Sequence, residues 1–256
     1  MTITLRENAV RLSHELGDPV RDWAILAEGN VSVAAPDETM YVKASGVSMA
    51  TASIADYVHV SLGPILGLLD NPVTNDETVG SVLMAARTSG SAKRPSVEAI
   101  LHAVCIHVGG ARFVGHTHPT AVNSLLCSTQ ADALVAGGLF PDQIVVLGQH
   151  QLLIPYTDPG LPLARLVRER LQEFMAKYGS CPKVIYLVNH GMFALGQTAE
   201  EVSQITHMAA KSARILAGAL AVGAPIHLSA RDAERIDTRP DELLRRAALA
   251  ANQKEG

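Results

Sequence analysis

Two histidines one residue apart, in His116-Thr117-His118, are the sharpest chemical feature of this chain. In an extended strand, residues two apart point to the same face, so both imidazoles can converge on one point. A metal ion needs that convergence, whereas a packed core would have to supply each ring with its own hydrogen-bond partner. Taken alone, the pair leaves both readings open. A third histidine, His190, ends an apolar run and is followed by glycine in Asn189-His190-Gly191, which places it at a sheet edge where loops form pockets. Glu98 lies in Pro95-Ser96-Val97-Glu98, in the first turn of an apolar helix. By itself it reads as a surface carboxylate favoured by the helix dipole. His102, four residues on, faces the same side and reads as a core or supporting histidine bonded to a backbone carbonyl. His14, His207 and His227 read as surface residues without a role.

The elements that must position these groups follow from periodicity and punctuation. Leu5, Ala9, Leu12 and Leu16 share one helical face, with Gly17 as a stop. Residues 31–35, a polar turn at 36–38 and residues 40–45 read as a hairpin. A helix is expected over about 77–88. Pro95-Ser96 starts another, running to about residue 107. Residues 113–118 read as a strand and 120–127 as a helix. The β-branched or apolar runs 144–147, 152–154 and 184–189 read as further strands. Residues 161–177 form an amphipathic helix ended by Gly179, and Thr198-Ala199-Glu200-Glu201 is a capping box opening a helix to about residue 220. Ser229 and Asp241 are starts for two short helices. Irregular interleaving of strands and helices implies one mixed α/β domain over 1–256.

Composition sets the outer limits. Of 256 residues, 48% are hydrophobic, which excludes a mainly disordered chain, and a net charge of −4 gives no general attraction to nucleic acid. Only 4% are aromatic, so alanine, valine and leucine must do most of the packing, and few tyrosines are available for chemistry. Cys105, Cys127 and Cys181 are odd in number and form no close pair, as expected of a reduced, cytoplasmic protein. Arg6 and Glu7 stand where a signal peptide would be apolar, and the run 215–226 is too short to span a bilayer.

Five segments, in order, resemble the class II aldolase/adducin family: Glu28-Gly29-Asn30-Val31-Ser32, Lys43-Ala44-Ser45-Gly46, Pro95-Ser96-Val97-Glu98, His116-Thr117-His118-Pro119 and Asn189-His190-Gly191. The resemblance implies a three-layer αβα sandwich with a mixed, mainly antiparallel central sheet, assembled as a homotetramer with sites between subunits. It implies that His116, His118 and His190 bind a divalent metal, most often Zn2+, and that Glu98 is the general acid/base. Gly29, Asn30, Ser45, Gly46 and Ser96 correspond to its phosphate site, where side-chain and backbone donors meet an anion. The implied activity is zinc-dependent retro-aldol cleavage of a ketose, phosphorylated or not, through a metal-stabilised enediolate. Decarboxylation of a 3-oxo sugar acid is the alternative. A non-catalytic adducin-like interaction domain is an alternative of another class. Lys43 is expected to face an anion or solvent, because metal chemistry needs no Schiff-base lysine.

Three departures touch the activity. Ala27 and Val97 replace hydroxyl residues of the family's sugar-phosphate aldolases, so the anion held there is a phosphate with fewer contacts or a carboxylate. No tyrosine lies between residues 119 and 139, where fuculose-phosphate aldolases carry a proton donor. No aromatic residue follows Phe193, which removes the tyrosine of related epimerases. Tyr156 is left as a candidate acid or as a loop residue packing on Pro155 or Pro159. Its segment and the Glu-Gly-Asn variant resemble the aldolase portion of rhamnulose-phosphate aldolase/dehydrogenase fusions.

Overall fold

A computed structural model describes residues 4–71, 75–88 and 92–241. Its centre is a seven-stranded sheet of β1 (Asn30–Ala35), β2 (Thr39–Lys43), β3 (Tyr57–Ser61), β4 (Phe113–Thr117), β5 (Leu152–Ile154), β6 (Val184–Leu187) and β7 (Gly191–Gly196). The spatial order is β3-β2-β1-β4-β7-β6-β5. All neighbours are antiparallel except β5 and β6. Strand alternation divides the packing into two cores. Val42, Val58, Val114, Ile185 and Phe193 point to one face, under α2 (Leu62–Gly67), α3 (Asp76–Ala85), α4 (Ala99–His107) and α7 (Leu161–Tyr178). Val31, Val33, Phe113, Tyr186 and Ala194 point to the other, under α1 (Leu5–Leu16), α5 (Thr120–Leu126) and α8 (Ala199–Val222). This is the expected αβα sandwich. α6 (Pro141–Leu147) and α9 (Ala230–Thr238) add a small core of their own through Ile144, Val145, Ala233 and Ile236.

The helices begin where local chemistry satisfies their free N–H groups. Thr4 and Glu7 form a reciprocal capping box for α1, and Thr198 caps α8. α1 then buries Ala9, Leu12 and Leu16 on one stripe, roughly 1.5–3 kcal/mol for each leucine. α4 is buried from Ala99 through Ile106, so its apolar composition on every side matches its place between α2, α7 and the sheet.

Residues 144–147 correct the sequence expectation: they are the end of α6, not a strand. Pro141 opens the helix, Asp142 sits in its first turn and Gly148 ends it with φ +78°. These end signals outweigh the β propensity of a short apolar run. Strands β3 and β7 and helix α2 are additional to the expected elements. Ser229 caps α9 as expected, while the helix expected from Asp241 runs into residues outside those described. No helix among the described residues is long and apolar enough to cross a membrane.

Candidate metal centre and acid/base site

Sheet register assembles the site. Asn30 on β1 is paired with His116 on β4, and His116 with Phe193 on β7. These three residues therefore form one row across the three central strands, near one end of the sheet. His118 follows the end of β4, and His190 lies in the turn between β6 and β7. Two glycines permit this crowding. A side chain at Gly191 would lie 2.4 Å from Cδ2 of His118 and 2.6 Å from the Thr117 carbonyl. Gly29, at φ +69°, would collide with the His116 carbonyl at 2.7 Å.

The three imidazoles turn toward one another. Their nearest ligand atoms all lie within 4.8 Å, and the Nε2 atoms of His116 and His118 are 3.0 Å apart. Two ligands of a tetrahedral zinc ion, each at about 2.0–2.1 Å, stand about 3.3 Å from each other, close to that spacing. Nδ1 of the fully buried His116 lies 3.0 Å from the Met192 carbonyl. A carbonyl can only accept, so Nδ1 carries a proton, and Nε2 is the nitrogen available to a metal ion. Burial, with His116 and His190 as neighbours, pushes His118 down to about 3, which keeps that ring neutral and able to ligate. The donor set thus fits a divalent ion.

Glu98 closes the cluster. It stands at the N-cap of α4 but makes no capping bond. Its Oε1 lies 3.2 Å from Nε2 of His116 and 3.1 Å from Nε2 of His190. Its Oε2 accepts from the Asn30 amide at 2.6 Å. Burial favours the acid form, yet His116 and His190 hold the carboxyl well below its ordinary range. The same carboxylate raises His116 against the effect of burial. Asn30 is buried, and its amide also lies 3.4 Å from Oγ of Ser96. An amide expected among the anion donors is therefore engaged in orienting Glu98.

The remaining expected residues fall into three groups. The exposed Ser45-Gly46 turn is tied to the Ser96 segment by Ser45 N–H to the Arg94 carbonyl at 3.0 Å and by a bridge between Ala44 and Pro95. His102 is fully buried, with Nδ1 2.7 Å from Oγ of Ser32, a hydroxyl where a backbone carbonyl is expected. Phe193 links it to the site, stacking on His116 at 4.2 Å and taking the His102 ring at 5.3 Å. Tyr156 is 58% exposed and shares no hydrogen bond or ring contact with the three histidines or Glu98. Lys43 does not face solvent. It is buried and donates to the carbonyls of Ala44 at 3.3 Å and Val47 at 2.5 Å, bracing the Ser45-Gly46 turn. Burial lowers it to about 8, against the pull of Glu98 and Asp56.

Two contributors have no role assigned from the sequence. Asn123 on α5 donates to the His190 carbonyl at 3.0 Å, and Glu28 lies 3.6 Å from Nδ1 of His118. Glu28 had a visible signal, an acid directly before the Gly-Asn pair. Asn123 had none, since only the packing of α5 against β7 brings it there.

The fold is thus an αβα sandwich in which three imidazoles that could hold a metal ion converge beside a carboxylate at one sheet end. The chain belongs to the family described as the class II aldolase and adducin N-terminal domain, whose model matches residues 8–217. Among solved structures, L-fuculose 1-phosphate aldolase is 17% identical, with 93% of this chain and 96% of that one covered and a TM-score of 0.70. The N-terminal class II aldolase domain of a conserved protein from Thermoplasma acidophilum is 23% identical, covering 85% and 95%, with a TM-score of 0.66. L-fuculose-1-phosphate aldolase from Thermus thermophilus is 20% identical, covering 86% and 100%, with a TM-score of 0.61. These likenesses concern the fold. No curated protein sequence matches.

Proposed function

We propose that the chain, taken as one domain over 1–256, is a zinc-dependent lyase that cleaves a C–C bond of a ketose or ketose phosphate by a retro-aldol reaction. The observation that carries this reading is the convergence of His116, His118 and His190, with Oε1 of Glu98 3.1–3.2 Å from two of their Nε2 atoms. Three imidazole ligands leave coordination positions open, as catalytic rather than structural zinc sites do. When bound, the ion supplies polarisation of a substrate carbonyl and compensation of the charge released as the bond breaks.

The chain's own residues supply the proton chemistry and the positioning. In a retro-aldol cleavage, the hydroxyl on the departing carbon loses a proton as it becomes an aldehyde. The carbon that keeps the bonding pair gains one. Glu98 is the group placed to carry a proton: Asn30 holds Oε2, leaving Oε1 turned to the histidines where reacting atoms would sit. Ser45, Gly46, Ser96 and Gly29 form the subsite for the substrate's anionic end. With Ala27 and Val97 in place of hydroxyl residues, that end is a lightly held phosphate or a carboxylate. The reading includes a cytoplasmic homotetramer. Ile25 and Leu26, 53% and 84% exposed beside the site, offer a neighbouring copy an apolar rim, and light scattering reports the mass.

Metal analysis and product identity test the proposal. The purified protein is expected to hold about one zinc per chain and His116→Ala to lose it. No stoichiometric metal in the natural protein, or unchanged content in the variant, overturns the enzyme reading and favours an adducin-like interaction domain. With metal present, an aldehyde plus a hydroxyketone from a panel of ketoses and ketose phosphates supports the lyase. Carbon dioxide from 3-oxo acids instead replaces it with the decarboxylase.

A further inference from the structure

The three histidines differ in what stands behind them. Nδ1 of His116 is held by a buried backbone carbonyl, and the main chain of His190 by the Asn123 amide. His118 sits at the rim. Its Nε2 faces Nε2 of His116 at 3.0 Å, and its Nδ1 faces Oε2 of Glu28 at 3.6 Å. That carboxylate is tied to its own loop: Oε2 accepts from Ile25 N–H at 3.2 Å, while Glu28 N–H bonds back to the Ile25 carbonyl at 3.0 Å. The loop carrying it is bolted to the histidine segment. His118 N–H donates to the Trp23 carbonyl at 2.7 Å, and Thr120 N–H to the Asp22 carbonyl at 3.2 Å. At the other end of the loop, Gly29 packs on the His116 carbonyl.

We infer that Glu28 is a positioning residue that fixes the tautomer and ring orientation of His118, so that its Nε2 is presented to the metal ion. This rests on the metal-ligand reading above and adds a residue to it. An imidazole that ligates through Nε2 carries its proton on Nδ1. A carboxylate facing that proton orients the ring and makes Nε2 a stronger donor. The 3.6 Å separation is longer than a hydrogen bond and too short for an intervening water, so a small turn of the ring closes it. The stretch Glu28-Gly29-Asn30 then acts as one device. Asn30 grips the acid/base Glu98, Glu28 grips a ligand, and Gly29 lets the two come close enough to do so.

The test is titration of metal-free protein with Zn2+ followed by calorimetry, and with Co2+ followed by visible absorption. Glu28→Ala is expected to weaken Zn2+ binding on the order of 10-fold and to alter the Co2+ spectrum. Glu28→Gln, whose amide oxygen still accepts from Nδ1–H, is expected to recover part of both. Metal-free melting temperatures of both variants are expected to match the natural chain. Unchanged affinity and spectrum in Glu28→Ala, while the natural chain binds zinc, overturn this inference and leave the ligand set standing. Equal weakening in both variants with a lowered metal-free melting temperature marks a structural effect and also overturns it. Failure of the natural chain to take up metal overturns this inference together with the ligand reading.

Discussion

At the sheet end opposite the histidines, a cleft of about 1190 Å³ is lined by Arg112, Lys183, Glu201, His150 and Tyr178. The cleft beside His118 measures about 320 Å³. In the larger one, several polar groups pair with one another. Lys183 pairs with Glu201, which also accepts from Gln197 N–H at 2.7 Å in front of α8. Gln149 donates to Asp237 at 3.1 Å, and His150 stacks on Tyr178 at 4.1 Å. The smaller cleft borders a cluster of the opposite kind, in which three imidazoles are held together with their nitrogens turned inward. Unlike charges paired at a rim add modestly to stability, whereas like groups crowded in a low-dielectric pocket oppose folding unless something binds them. On the proposed function, the working end is marked by that convergence and not by cavity volume.

The sharpest way to break this contrast is Glu98→Gln. The amide fills the same space and can still bond to Asn30, so zinc content is expected to stay near that of the natural chain. It cannot carry a proton, so turnover is expected to fall about 10²–10⁴-fold. Steady-state kinetics with metal analysis on the same sample checks both. Full activity would remove Glu98 from the mechanism.

How much of this is legible in the sequence depends on whether the signal is local. His116 and His118 are readable because a strand returns to the same face every second residue, and His190 because a glycine follows it at the end of an apolar run. α1 and α8 announce themselves through caps. β7, with glycine at both ends and both faces buried, shows no alternation and is invisible until β4 and β6 close around it. Residues 144–147 mislead because their β propensity is strong, while the deciding signals, Pro141 and Gly148, lie outside the run. The interior position of Lys43 has no local signature at all. It follows from the pairing of β2 with β1 and β3 and from the turn that Lys43 itself braces.

Lys43 yields the next effect in size. An unfolded lysine titrates near about 10.4, while burial brings the folded one to about 8. Between those values the unfolded chain binds more protons than the folded one, so stability rises with pH across the window. Below about pH 8 both states hold the proton and this contribution is flat. Chemical denaturation at pH 8, 9 and 10 is expected to show a gain on the order of 2 kcal/mol in the natural chain relative to Lys43→Met. Parallel curves for the two proteins would mean that the ammonium reaches water, and that the histidine end is less closed than its distances imply. Above about pH 10 a counter-current sets in, because burial raises Tyr57 and Tyr186 and favours their neutral forms.

The smallest effect belongs to the large cleft, and it bears most directly on the contrast between the two ends. Lys183 and Glu201 are 42% and 23% exposed at their side chains, so screening and side-chain entropy leave their pairing worth less than about 1 kcal/mol. Lys183→Met is expected to lower stability by no more than that in urea denaturation, with zinc content and turnover at the level of the natural chain. Lys183 is the better probe of the pair, because Glu201 also satisfies a backbone N–H before α8 and its loss would mix two effects. A tenfold loss of turnover in Lys183→Met would join the two clefts functionally. The convergence of like groups would then cease to be a sufficient marker of the working end.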